Sequence, residues 1–363
     1  MQQPSARKRS RYMEWAKTCS TAPFNLATSG LTNVLLADFP LQVEELEITG
    51  GGYGYAPLLE RIARHTGAPV DCIVTADGTS MANHLAMAAL VERGDEVVLE
   101  EPTYGLLLDV LHYLGARVKR VARRFENNFD LALPEMEEAI TPATRLVVLS
   151  NLHNPTGALI PIETLRAIGE MARRAGARVL VDEVYLEMLV EDAPPFAFPL
   201  GETFLVTSSL TKAYGLSGLR CGWILAAPEL AHRIWRLNDL FAATAAHPAE
   251  RMSVTAFDHL AQFRERAQRL LSTNRPLVEA FLDARPDLEY FRPTAGSVFF
   301  PRLSQGDPDA FFKLLREKYQ TSVVPGAFFE APRHFRLGIG GETAALQPSL
   351  ERLGAALDEF GKR

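Results

Sequence analysis

Cysteine is scarce. Cys19, Cys72 and Cys221 are the only three in 363 residues. They are odd in number and widely spaced, which argues against a disulfide framework and against a zinc ribbon. A reducing compartment, the cytoplasm, is the simpler expectation. No apolar run of about 18 residues occurs, so no membrane helix is expected. Arg7, Lys8, Arg9 and Arg11 are not followed by an apolar core region, so they do not form a secretory signal. Met1–Tyr12 reads instead as a solvated, partly disordered arm. There is no basic excess: 38 Lys and Arg stand against 44 Asp and Glu, a net charge of −6. That disfavours a dedicated nucleic-acid binder. No internal repeat stands out. His84 and His153 are isolated, with no metal-ligand spacing, so no metal is expected.

What is present is ordinary globular material, 47% hydrophobic and 23% charged. The length suits two structural units. Strand-like and helix-like stretches alternate through the middle. Residues 71–76, 96–99, 117–121, 145–149, 178–181, 204–208 and 219–226 read as strands. Residues 79–93, 104–114 and 162–175 read as helices, the last opened by Pro161 and closed near Gly176. This alternation predicts an α/β unit with a mostly parallel sheet covered on both faces. After Pro228 a long helical stretch, Glu229 to about Leu271, leads into a second α/β region from Pro276. There residues 274–282, 308–319 and 346–360 read as helices, and 297–300, 322–324 and 335–339 as strands. The expected division is a large domain over 45–255 and a smaller one built from 1–44 and 256–363. Trp15, Trp223 and Trp235 read as packing residues.

Three polar groups follow predicted strands: Ser150-Asn-Leu-His-Asn-Pro-Thr-Gly157, Val181-Asp-Glu-Val-Tyr185 and the run Ser208 to Trp223. In sheets of this kind, ligands sit where strand ends meet loops. Lys212 is an amine just past a buried strand. Kept neutral there, it can form a Schiff base with an aldehyde cofactor. Asp182 at a strand end can pair with a pyridine nitrogen and hold its proton. Asn154 and Tyr185 can hydrogen-bond an oxygen on the same ring. The turn Thr75-Ala-Asp-Gly-Thr-Ser-Met81 opens a helix, whose N-terminal N–H groups suit an anion.

The order Asn154, Asp182, Tyr185, Lys212, Arg220 resembles the class I and II aminotransferases, fold-type I enzymes that use pyridoxal 5′-phosphate (PLP). The likeness spans nearly the whole chain. It implies a large domain with a mostly parallel seven-stranded sheet between helices, plus a smaller C-terminal α/β domain. By this resemblance Lys212 holds the cofactor and moves the proton, assisted by Asp182 and Tyr185. Gly78, Thr79, Ser80, Ser209 and Arg220 match the phosphate ligands, and Tyr104 the residue stacked on the ring. Arg336, in His334-Phe-Arg-Leu-Gly, matches the arginine that takes the substrate carboxylate as a bidentate pair. Ser29 and Asn154 belong to the substrate side. Gly50-Gly-Gly-Tyr-Gly-Tyr55 looks like the segment whose tyrosine, Tyr53 or Tyr55, reaches the partner subunit's phosphate. A homodimer is therefore expected. Leu152 stands where the family usually has proline, and a small local change is expected from it.

The implied reaction moves an amino group between an amino acid and a 2-oxo acid. The alternative keeps fold and cofactor but ends as a lyase, a decarboxylase or a cyclising synthase. No second arginine can be assigned to a substrate side chain: Arg11, Arg124 and Arg292 have no place in the motifs.

Overall fold

A computed structural model describes residues 8–43, 46–48, 52–188 and 196–362. Arg7, Gly50 and Gly51 lie outside the described residues. Helix α1 (Arg11–Thr18) precedes the short strand β1 (Phe24–Asn25), and α2 (Ala56–Thr66) leads to the central sheet. That sheet contains β2 (Ile73–Asp77), β3 (Glu96–Glu101), β4 (Arg117–Ala122), β5 (Thr144–Ser150), β6 (Arg178–Asp182), β7 (Phe204–Ser209) and β8 (Cys221–Leu225). Helices α3 (Gly78–Ala88), α4 (Gly105–Leu114), α5 (Leu133–Ala139) and α6 (Ile162–Ala175) fall between its strands in the chain. Helices α7 (Pro228–Asn238), α8 (His247–Asp258) and α9 (Leu260–Asp283) follow. Short strands and the helices Pro308–Glu317 and Thr343–Phe360 complete the chain. Among the described residues, no helix is long and apolar enough to cross a membrane.

The strand order is β2-β8-β7-β6-β5-β3-β4. Only β8 runs against its neighbours; the other pairs are parallel. The carboxyl ends of β2, β3, β5, β6 and β7 therefore share one edge with the start of β8. Gly78, Thr79, Ser80, Tyr104, Asn154, Asp182, Tyr185, Ser209, Lys212 and Arg220 sit on or just beside these ends. The sheet is buried on both faces, as alternation along each strand requires. Leu146 and Val148 of β5 join Val74, Leu180 and Ile224 in one apolar layer. Val147 and Leu149 join Val98, Val179 and Val206 in the other.

Four expectations are corrected. The stretch after Pro228 is not one helix but three. It breaks after Asn238 and again between Asp258 and Leu260. Pro276 does not open a new unit; it lies inside α9. Phe263, Ala267, Leu271, Val278 and Leu282 bury one continuous face of that helix, and this packing outweighs the lost N–H of proline. Nor does the solvated arm extend to Tyr12. Ser10 Oγ accepts from the Met13 N–H at 3.3 Å and caps α1, whose Tyr12 is buried. The strand expected from Leu219 starts at Cys221, because Ser217–Leu219 is a 3-10 turn and Arg220 adopts φ 53°. The Asn151–Leu152 peptide bond is cis.

Candidate active site

A cavity of about 180 Å³ opens at this sheet edge. Lys212, Asp182, Tyr185, Asn154, Thr79, Ser80, Tyr104, Arg220 and Ser29 all line it. Residues read from separate stretches of sequence thus come together.

Lys212 follows β7. Burial pushes its amine below the usual lysine value, toward the neutral form. Among the described residues its Nζ makes no hydrogen bond or ion pair. Gly30 passes alongside, and a Cβ there would lie 3.1 Å from Lys212 Cδ.

Asp182 ends β6. Asn83 Nδ2 donates to its Oδ2 at 2.7 Å, and the Val184 N–H donates to its Oδ1 at 3.2 Å. Burial pushes its carboxyl up to about 6, despite these donors. Thr207 donates to Asn83 Oδ1 at 2.6 Å and fixes the amide's orientation. Asn83 was not singled out in the sequence. It lies four residues beyond Thr79 on α3, hence on the same helical face, and that spacing was the available signal.

The turn between β2 and α3 brings together the groups of the candidate anion cradle. Gly78 adopts φ +69°, and a Cβ there would lie 2.3 Å from Arg220 Nη2. Arg220 Nη2 donates to the Asp77 carbonyl at 3.0 Å. Asp77 thus contributes its backbone to the cradle. Thr79 Oγ1 donates to Ser209 Oγ at 2.8 Å. Thr211 also lines the cavity, and its buried Oγ1 has no partner among the described residues.

Arg336 lies on the strand Phe335–Gly338 and is fully buried. Its Nη1 donates to Asn154 Oδ1 at 2.8 Å, and its Nη2 to Tyr12 Oη at 2.9 Å. The Tyr185 hydroxyl donates to Ser29 Oγ at 2.7 Å. Tyr12 and Met13 of α1 line the same cavity. Both were missed, although Ser10 followed by a run of helix formers could have marked α1.

Tyr53 does not line this cavity. It is 47% exposed, and its hydroxyl donates to Asp239 at 2.9 Å. Tyr55 sits against His247, with ring centroids 4.8 Å apart. Arg124 and Arg292 pair with Glu135 and with Glu279 and Asp283, outside the cavity.

The loop that presents Asn154 rests on a buried network. Glu100 and Arg123, both fully buried, meet at 2.8 Å. Glu100 also accepts from the Ser150 N–H and hydroxyl, each at 2.7 Å. His153 bonds the Pro102 carbonyl at 2.9 Å and Thr156 at 2.7 Å.

These residues fit a phosphorylated pyridine aldehyde. A buried amine held below the ordinary lysine value suits the aldehyde. A buried carboxylate with no cation hydrogen-bonded to it suits a protonated ring nitrogen. The hydroxyls of Thr79 and Ser209 and the guanidinium of Arg220 suit a phosphate, and Gly78 beside Arg220 admits no Cβ.

Comparison with known proteins agrees. The family described as Aminotransferase class I and II matches residues 36–353. Arginine–pyruvate transaminase of Pseudomonas aeruginosa is 30% identical over 291 residues, 78% of this chain and 74% of that protein. Capreomycidine synthase of Streptomyces vinaceus is 31% identical over 301 residues, 82% of this chain and 76% of that protein. The crystal structure of a PLP-dependent aminotransferase from Streptococcus suis superposes with a TM-score of 0.91 at 26% identity, covering 97% of this chain and 99% of that one.

Proposed function

The chain belongs to the class I and II aminotransferase family and is a PLP-dependent transaminase, and from that premise we propose how its residues divide the work. Lys212 would hold the cofactor through its amine. Asp182 faces the ring nitrogen, with Asn83 as its positioning residue. Tyr185 and Asn154 serve the ring's phenolic oxygen, and Tyr104 covers the ring. Gly78, Thr79, Ser80, Ser209 and Arg220 hold the phosphate. Arg336 takes the carboxylate of the amino acid, near Ser29 and Asn154.

PLP supplies an electron sink for the carbon that loses its proton. The chain supplies position and charge. Arg336 fixes the carboxylate and so orients the Cα–H bond. The Lys212 amine, held below its ordinary value by burial and freed when the substrate amine takes its place, would accept the Cα proton and deliver it to the carbon that had carried Lys212. Asp182 would hold the proton of the ring nitrogen. The observation that carries this reading is the buried Lys212 amine in one cavity with the buried carboxylate of Asp182.

The substrates are an amino acid and a 2-oxo acid. The test is a single turnover of the loaded enzyme with each common L-amino acid, with no 2-oxo acid present. Stoichiometric keto acid and conversion of the cofactor to its amine form are expected. The similarity to a synthase keeps the second reading in view: a lyase, decarboxylase or cyclising synthase. Many turnovers without a 2-oxo acid would favour it and overturn transamination.

We also propose a cytoplasmic homodimer. Val43, Ile48, Leu240 and Phe241 are large apolar residues at least half exposed, in segments flanking Tyr53. A partner covering them would bring Tyr53 or Tyr55 toward its own phosphate cradle. An active monomer in sedimentation would refute this.

A further inference from the structure

Arg336 is a buried cation with only neutral partners. Its Nη1 donates to an amide oxygen of Asn154, and its Nη2 to the Tyr12 phenol and, at 3.3 Å, to the Ala27 carbonyl. Its Nε, also buried, has no partner among the described residues. A buried charge is costly unless an opposite charge joins it. The guanidinium is therefore built to receive an anion.

The phenol beside it has a proton to give. A tyrosine hydroxyl can accept and donate at once. Tyr12 Oη already accepts from Arg336. Among the described residues, no acceptor takes the Tyr12 O–H. Tyr12 lines the cavity together with Lys212 and Asn154. A carboxylate arriving at Arg336 would bring the missing acceptor within reach of that hydroxyl.

The ring is held in this place. It meets Tyr104 edge-on at 5.5 Å, and Phe328 and Phe329 at 5.9 and 5.7 Å. The Arg336 guanidinium carbon lies 5.8 Å from its centroid. Gly105 permits this approach: a Cβ there would lie 2.9 Å from the Phe328 carbonyl and 3.6 Å from Tyr12 Cβ. Helix α1 is thus seated with Tyr12 pointing at the guanidinium.

We propose that the Tyr12 hydroxyl is a second ligand of the substrate carboxylate, shared with Arg336 and delivered by α1. The inference rests on the reading of Arg336 as the carboxylate site. Tyr12 accepts from Arg336 in the free enzyme and donates to the carboxylate once substrate is bound. It thereby adds discrimination in favour of amino acids over simple amines.

The test compares Tyr12→Phe, Arg336→Gln and the unaltered holoenzyme. The probes are the L-amino acid that reacts fastest in the panel above and the amine left by removing its carboxyl group. Tyr12→Phe keeps the ring and its packing. It should raise KM for the amino acid by about 10- to 100-fold, the effect of one hydrogen bond to a charged group. Its kcat, its KM for the amine and its PLP dissociation constant should stay within about threefold. Arg336→Gln should abolish the preference for the acid. If Arg336→Gln loses that preference while Tyr12→Phe keeps the parent KM, the Tyr12 inference alone fails. If Arg336→Gln keeps the preference, the reading of Arg336 fails and the inference falls with it. An equal rise in KM for acid and amine in Tyr12→Phe would mark a merely structural role and overturn the inference.

Discussion

Replacing Asp182 with asparagine should change the pH dependence of stability in the cofactor-free protein. Burial raises the Asp182 carboxyl from 3.8 to about 6. The folded protein therefore binds this proton more tightly than the unfolded chain. The associated stability is fully present below the unfolded value and is lost as pH rises through about 6. The displacement is about 2 pH units, and at about 1.4 kcal/mol each it is worth about 3 kcal/mol. Roughly 1 kcal/mol of this is already gone at pH 4.5, where the unfolded carboxyl is mostly ionised. The substituted asparagine has no charge to bury. Its amide does place a donor near Asn83 Nδ2, a penalty that does not vary with pH in this range. Relative to the parent, Asp182→Asn should therefore gain about 2 kcal/mol between about pH 4.5 and about pH 8. With an unfolding entropy of roughly 2 cal/mol/K per residue over the chain, that is about 3 °C in Tm. The assay is thermal unfolding of both cofactor-free proteins at fixed concentration across that range. A Tm difference that stays flat with pH would refute the reasoning. With PLP bound the advantage should vanish, because the parent's carboxylate then has its cation.

Two further substitutions test the cradle and its support. Gly78→Ala forces an alanine into φ +69° and against Arg220, so it should cost about 1–3 kcal/mol of stability and raise the PLP dissociation constant at least tenfold; unchanged cofactor titration would contradict the cradle. Glu100→Ala strands the buried Arg123 charge and the Ser150 N–H, and should cost about 3–5 kcal/mol in denaturant unfolding; a loss below about 1 kcal/mol would show that the pair does not support the Asn154 loop.

The sheet was legible because its strands are short apolar runs separated by turn residues. Helix α6 was read to its ends, since Pro161 and Gly176 punctuate both. The strand-end polar groups were legible for the same reason: each follows an apolar run. What failed was decided by tertiary packing. Pro276 looked like a boundary, yet one continuous buried face carries α9 through it. Tyr12 looked like the end of a basic arm, yet a Ser10 cap and an aromatic bed turn it into the site. Asn83 lay unmarked inside a helix, because its role depends on where β6 ends across the sheet. Tyr53 is half-exposed with its hydroxyl bonded to Asp239, and its expected role needs a second subunit.

The account turns on Lys212 as the covalent anchor of PLP. The most direct test is borohydride reduction of the loaded enzyme, followed by peptide mass mapping. The pyridoxyl group should be found on the peptide that contains Lys212, and Lys212→Ala should carry none and lose the visible band. Labelling of another lysine, or a retained band in Lys212→Ala, would contradict the assignment of the site.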